Sequence, residues 1–211
     1  MKAILISIRP KWVEKIVKGE KTIEVRKSAP KEVPFKAYIY CTSDGKIIYG
    51  DSNIFVTDNS KSLRKSPAME EAFEKHSNLR LWNGKVIGEF ICNKVERFSV
   101  GSLRSDDVEK LACLSYYEMI CYFYKPEELD GKTAKQGFAW HISALKIYDK
   151  AKELSEFRKP LDRVLGSYCN DYCDRGCISF GSTDYGCNDY WDWEKGLTRP
   201  PQSWQYVEGK K

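Results

Sequence analysis

No stretch of this 211-residue chain approaches the roughly 20 consecutive apolar residues of a membrane-spanning helix, which excludes a bilayer crossing of that kind. The first apolar stretch, Ala3 to Ile8, is too short for a secretory leader and is closed by Arg9-Pro10-Lys11, so it reads as a buried strand. Internal repeats and low-complexity tracts are also missing, which argues against a solenoid and against a disordered chain. Histidine is scarce, with two residues, His76 and His141. Together these absences lead to the expectation of a soluble cytoplasmic protein. In that reducing compartment the eight cysteines are thiols or metal ligands rather than disulfides.

What the chain does have is an ordinary globular composition, 42% hydrophobic and 31% charged, and enough length to bury a core. Its net charge of +5 is modest but unevenly placed. Residues 1 to 36 hold ten Lys or Arg against four acids, a segment charge of +6, so the remainder is close to neutral. A basic segment of this kind is either a solvated surface or one patch for an anionic partner, of which phosphate is the commonest.

Local patterns give the organisation. Pro10 suits the first turn of a helix, Trp12, Val13, Ile16 and Val17 recur at helical spacing, and Gly19 supplies the stop. From Lys21 to Arg26 the pattern alternates, with Ile23 and Val25 on one face and Thr22, Glu24 and Arg26 on the other, taken as exposed. Phe35 to Thr42 is a second strand, and Asp44-Gly45 before Lys46 to Tyr49 suggests a hairpin. Residues 57 to 84 are polar and read as an insertion, with a helix opening at Ser66-Pro67. Strand character returns over 85 to 98, where Gly88 marks a bulge or corner. Helices are expected after Ser105 and, from the capping box of Ser115 and Glu118, after Ser115. A strand over 135 to 148 and a last short strand near Trp204 complete the pattern. Antiparallel signals dominate.

The strand, helix and Gly-x-Lys-x-x-Glu-x-Arg run formed by Gly19, Lys21, Glu24 and Arg26 resembles the ASCH domain family. The resemblance covers about residues 1 to 150 without the insertion. It implies an α+β fold, a PUA-like mixed and mostly antiparallel β-barrel with flanking short helices and a cleft over the motif strand. Residues 151 to 211 would then be a C-terminal extension packed on the barrel. The resemblance further implies binding of RNA or of a nucleotide, modified or not. Some short members resembling this motif are N4-acetylcytidine amidohydrolases and another branch is ribonuclease-like, so hydrolysis is the alternative expectation. Lys21 stands where the amidohydrolases have their catalytic lysine, and Glu24 holds the position of their threonine.

The residues carry their own chemistry. Lys21 is either a phosphate partner or an amine able to act as base or nucleophile. Glu24 accepts hydrogen bonds from a base amino group or pairs with Arg26. Arg26 and Lys27 are the best anion contacts, the guanidinium gripping phosphate in a bidentate way. Trp12, Tyr40 and Trp140 are candidate rings for base stacking, with Tyr38 a further one. His141 is either a general acid or base or a hydrogen-bonded wall residue. Among the cysteines, Cys41, Cys92, Cys113 and Cys121 look like core thiols. Cys169, Cys173, Cys177 and Cys187 cluster at C-x3-C-x3-C-x9-C spacing within the Cys-rich stretch 166 to 193. They suggest a structural zinc or else free thiols.

Overall fold

The structure, a computed structural model, describes residues 1–43, 47–50, 55–58, 80–100, 106–128, 134–160 and 196–209. In chain order the first elements are β1 (Ala3–Ile8), α1 (Pro10–Val17), β2 (Ile23–Arg26), β3 (Phe35–Cys41), β4 (Ile47–Gly50), β5 (Phe55–Asp58), β6 (Arg80–Leu81) and β7 (Lys85–Cys92). They continue with β8 (Val95–Ser99), α2 (Asp106–Ala112), α3 (Tyr116–Phe123), β9 (Gln136–His141), β10 (Ser143–Lys152), β11 (Phe157–Arg158), β12 (Trp204–Tyr206) and β13 (Glu208–Gly209). The fold is α+β with mixed, mostly antiparallel sheets. The main sheet runs β10-β7-β3-β1-β12, and its one parallel pair is β1 with β3. A second sheet runs β2-β9-β8, with β2 at its edge.

Two strand segments pass between these sheets. The chain leaves the main sheet with β7 and enters the second as β8, turning at Asn93-Lys94. It returns from β9 to β10 at Ile142. The two corners are tied together, Asn93 Nδ2 donating to Ser143 Oγ at 3.1 Å and that hydroxyl donating to the Ile91 carbonyl at 2.7 Å. The runs expected as single strands over 85 to 98 and 135 to 148 are therefore each two strands, because each runs through this corner. Gly88 does sit at a bulge: Ile39 pairs with Gly88 but Tyr40 with Val86, leaving Ile87 as the extra residue. A Cβ on Gly88 would meet the Lys146 carbonyl at 2.5 Å, so only glycine lets β10 approach this closely.

The hairpin expected between Phe35 to Thr42 and Lys46 to Tyr49 is not formed. Both edges of β3 are occupied, by β1 and β7, so β4 pairs instead with β5 and β6 in a separate small sheet. The turn at Asp44-Gly45, the helix expected at Ser66-Pro67, the cap at Ser105 and the whole Cys-rich stretch lie outside the described residues. The C-terminal region contributes directly to the main sheet, with Ile4, Leu5 and Ile6 of β1 paired to Tyr206, Gln205 and Trp204.

Three apolar clusters position the site. The largest lies between the sheets and is built from alternate residues of β1 and β3 with Val13, Ile16, Ile87, Phe90 and Trp140. A second packs Ile23 and Val25 with Ala139, Ala112, Met119 and Phe123, docking α2 and α3 on the far face of the second sheet. The third, with Leu5, Tyr40 and Phe157, covers the outer face of the main sheet.

Candidate ligand site at the motif strand

The approach to β2 is fixed by how α1 ends. Gly19 adopts φ +73°, its N–H donates to the Ile16 carbonyl at 3.0 Å, and Glu20 N–H reaches back to Lys15 at 2.9 Å. This double bond pattern satisfies the last carbonyls of the helix through a left-handed glycine and delivers the chain at a set angle. Thr22 N–H then donates to the Leu111 carbonyl at 2.9 Å, clamping the strand entry against the end of α2.

Ladder pairing decides which way the motif side chains point. Ile23, Glu24, Val25 and Arg26 stand opposite His141, Trp140, Ala139 and Phe138 of β9. Directly opposed residues share a face, so Glu24 and Arg26 lie with Trp140 and Phe138 on the face toward the main core, and Ile23 and Val25 lie with Ala139 under the helices. The alternation read from sequence is correct and Thr22 is exposed as expected, but Glu24 and Arg26 are buried. Lys21 is 3% exposed, Glu24 6% and Arg26 7%.

These three form one ionic cluster. Glu24 Oε1 lies 3.0 Å from Arg26 Nη2, and Glu24 Oε2 lies 3.3 Å from Lys21 Nζ. Lys21 Nζ also donates to the Ala112 carbonyl at 2.8 Å, at the C-terminal end of α2, where the helix dipole favours a cation. Arg26 Nη2 donates to the Ser7 carbonyl of β1 at 2.7 Å. Two cations thus share one carboxylate, leaving the buried cluster with a net charge of +1.

Its hydrogen-bonding capacity is not used up. Glu24 Oε2 is close enough to Lys21 for an ion pair but is not aligned with it as a hydrogen bond, and Arg26 Nε and Trp140 Nε1 are buried with no hydrogen-bond partner. One acceptor and two donors therefore remain on the same face of the sheet. A buried polar atom without a partner costs free energy, so these three are positions where a further hydrogen bond would stabilise the fold.

The other sequence candidates separate by position. Trp12, half-buried on α1, brings its ring within 5.5 Å of Lys21 Nζ and 4.3 Å of Lys11 Nζ, so it belongs to the site's surroundings. Lys27 is exposed directly after β2, its Nζ 5.3 Å from the Tyr122 ring. Trp140 is fully buried and wedged edge-on between Phe35 at 5.2 Å and Trp204 at 5.8 Å, so its ring faces are core and only its indole N–H is spare. Tyr40 is a correction: it packs in the outer cluster on the opposite face of the main sheet and cannot stack a base over the motif. Tyr38 sits on that same face, 4.8 Å from Phe157.

Of the two readings offered for His141, the structure agrees with the hydrogen-bonded wall residue. It stands opposite Ile23, on the helix side of the sheet, whereas Glu24 faces the other way, so the two cannot share a proton. Its Nε2 is 2.6 Å from Glu96 Oε2 instead. Of the isolated cysteines, Cys41 and Cys92 are the core thiols expected, burial pushing them up to about 12 and about 11, which keeps them protonated and inert. Cys113 is half-buried, and Cys121 is exposed rather than core. The four clustered cysteines expected to hold zinc lie outside the described residues. Sequence reading missed the two backbone carbonyls, of Ser7 and Ala112, that hold the cations, since nothing in a carbonyl's residue type announces it.

No known protein-family profile matches the chain, and no curated protein matches it. Among solved structures it is similar to an ASCH protein from Zymomonas mobilis, with 17% identity and a TM-score of 0.49 over 98% of this chain and 88% of that one. Two point-mutant structures of that Zymomonas protein match at 15% identity and TM-scores of 0.48, covering 99% and 98% of this chain and 91% and 89% of theirs. No helix among the described residues is long and apolar enough to cross a membrane.

Proposed function

We propose that the Lys21, Glu24 and Arg26 cluster is the floor of a binding site for a nucleotide, free or within RNA. The observation that carries this reading is the shared carboxylate: a buried net charge of +1 with Glu24 Oε2 and Arg26 Nε unspent. An ionised carboxylate only accepts, so Glu24 takes an N–H of a base or a hydroxyl of ribose. Arg26 Nε donates to a carbonyl or phosphate oxygen. The exposed Lys11 and Lys27 supply further phosphate contacts, and Trp12 offers an aromatic surface beside Lys21. A neutral sugar or an apolar ligand would leave the excess charge uncompensated.

The test is direct binding of fluorescently labelled RNA, with single-stranded DNA and nucleoside monophosphates as further ligands, across a salt series. Affinity falls linearly on a log–log plot against salt, and Arg26→Met, which leaves Glu24 its Lys21 partner, weakens it at least tenfold. Failure of all three ligand types to associate at low salt refutes the reading. A hydrolytic role for Lys21 on the bound nucleoside is the second reading, favoured by the 3.3 Å approach of its amine to the Glu24 carboxylate. Turnover unchanged in Lys21→Ala would dispose of it.

A further inference from the structure

Ser7 joins the candidate site to the C-terminal end of the chain. β12 pairs with β1 at the edge of the main sheet, Ile4, Leu5 and Ile6 standing opposite Tyr206, Gln205 and Trp204. Val207 N–H donates to the Ala3 carbonyl and Ser7 N–H to the Ser203 carbonyl, both at 3.0 Å, so the next hydrogen-bonded pair of this ladder is Ser7 with Ser203. A complete pair exchanges two bonds. Here the Ser7 carbonyl accepts from Arg26 Nη2 at 2.7 Å, so the guanidinium occupies the acceptor at which the ladder would continue. The Ser7 hydroxyl adds a bond to the Pro201 carbonyl at 2.6 Å. One residue, 8% exposed, thus commits its N–H and hydroxyl to the C-terminal segment and its carbonyl to the ionic cluster.

Trp204 makes the second connection. Its indole N–H donates at 3.1 Å to Ser28 Oγ, two residues beyond Arg26, and its ring meets the edge of Trp140, which carries one of the unpartnered donors. Residues 201 to 206 therefore touch all three strands that build the site: β1 at Ser7, the exit of β2 at Ser28 and β9 at Trp140. Buried Val207 anchors the far end of this segment in the outer cluster. The near end is thinly held, since β12 has only three residues, Pro200 and Pro201 before it have no N–H to donate, and Gln202 and Ser28 are exposed. A short edge segment of this kind opens at lower free energy than the sheet it lies on.

We propose that residues 201 to 206 form a strap whose docking sets the affinity of the Lys21, Glu24 and Arg26 site. This rests on the reading of that cluster as a nucleotide site and adds its regulation. With the strap docked, Ser7 is held in register, and its carbonyl together with Glu24 fixes the guanidinium so that Nε is directed at one place. With the strap released, Ser7 loses two of its tethers, Arg26 gains rotamer freedom, and a ligand must order it again. The coupling is reciprocal by linkage, so a bound nucleotide closes the strap to the same extent that the closed strap tightens binding.

The experiment compares the wild type with the double variant Ser7→Ala, Ser28→Ala, which removes both side-chain tethers of the strap and keeps the Ser7 backbone carbonyl, Arg26 and Trp204. Each of the four nucleoside monophosphates is titrated at low salt, and amide hydrogen exchange is followed by NMR at Gln205, which lies opposite Leu5 in the neighbouring hydrogen-bonded pair. In the wild type a saturating monophosphate slows exchange at Gln205 by about fivefold, and the double variant binds the same monophosphate about fivefold more weakly, the lower end of ordinary coupling. A tether that is only structural would not make Gln205 answer to the ligand. Exchange at Gln205 that saturation leaves unchanged in the wild type, or undiminished affinity in the double variant, overturns the strap while sparing the nucleotide site. A wild type that binds none of the four monophosphates overturns the nucleotide reading and the strap together.

Discussion

Glu24 of β2 and Trp140 of β9 stand directly opposite one another in the ladder, and each carries a buried polar atom without a hydrogen-bond partner. Direct pairing puts both side chains on the core-facing side of the second sheet. The same register sends His141, the very next residue on β9, to the opposite face, where Glu96 holds it. One ladder therefore assembles the candidate site and turns His141 away from it. Lys21 Nζ, by contrast, lies 3.3 Å from Glu24 Oε2.

Glu24 is the keystone of the ionic cluster, since Lys21 and Arg26 both use it as their carboxylate. Glu24→Ala leaves two buried cations facing one another, and breaking a buried pair in this way costs about 3–5 kcal/mol. Urea unfolding followed by tryptophan fluorescence should show a midpoint well below wild type. Replacing Lys21 by Met in the same background should recover part of the loss, because it removes one of the stranded charges.

The outer face of the main sheet carries a second charged group with a defined pH window. Glu89 is held below the ordinary carboxylate range: burial acts to raise it, but hydrogen bonds from Tyr148 at 2.6 Å and Lys36 at 2.9 Å outweigh that. Lys36 is raised by its hydrogen bond to Glu89 against the opposing effect of burial. A depressed carboxylate contributes stability above its unfolded value and loses it as pH falls through the folded one. A raised amine contributes below its unfolded value and loses it as pH rises through the folded one. The Lys36–Glu89 contribution is therefore full between the ordinary values of 4.5 and 10.5 and fades outside them. In thermal melts across pH, Glu89→Gln should lower stability at neutral pH and flatten the acid-side decline.

Gly137 is the second residue of β9, where the strand passes beneath α3. A Cβ there would fall 2.7 Å from Phe98 Cε1 and 2.8 Å from Phe123 Cζ, so the two rings, now packed edge to face, would have to part. Overpacking of this kind costs about 1–3 kcal/mol. Gly137→Ala should lower the thermal midpoint accordingly, and a midpoint equal to wild type would mean that α3 rides more loosely on the sheet than its contacts indicate.

The run from Ala3 to Arg26 was legible because each signal in it is local. Pro10, the helical spacing up to Val17, Gly19 and the alternation after it all act within a few residues of one another. The capping box at Ser115 and the bulge at Gly88 were legible for the same reason. Alternation tells which side chains share a face but not what covers that face. Glu24 and Arg26 looked exposed because what they face, the Ser7 carbonyl and Trp140, belongs to other strands, Trp140 far along the chain. The corner at Asn93-Lys94 was hidden since it contains neither glycine nor proline, and a strand that changes sheets keeps its β-rich composition throughout. Tyr40 was misplaced because period-2 patterning cannot distinguish the two faces of a sheet that is buried on both.

Arg26 Nε offers the most direct test of the central claim that this cluster binds a nucleotide. Its N–H signal can be followed by 1H–15N NMR and assigned by its loss in Arg26→Lys, while nucleoside monophosphates are titrated in at low salt. The account predicts a saturable shift of that signal, accompanied by the indole N–H of Trp140, which lies on the same face. Saturable shifts elsewhere in the spectrum with both of these signals unmoved would show that the ligand binds at another place and contradict the account.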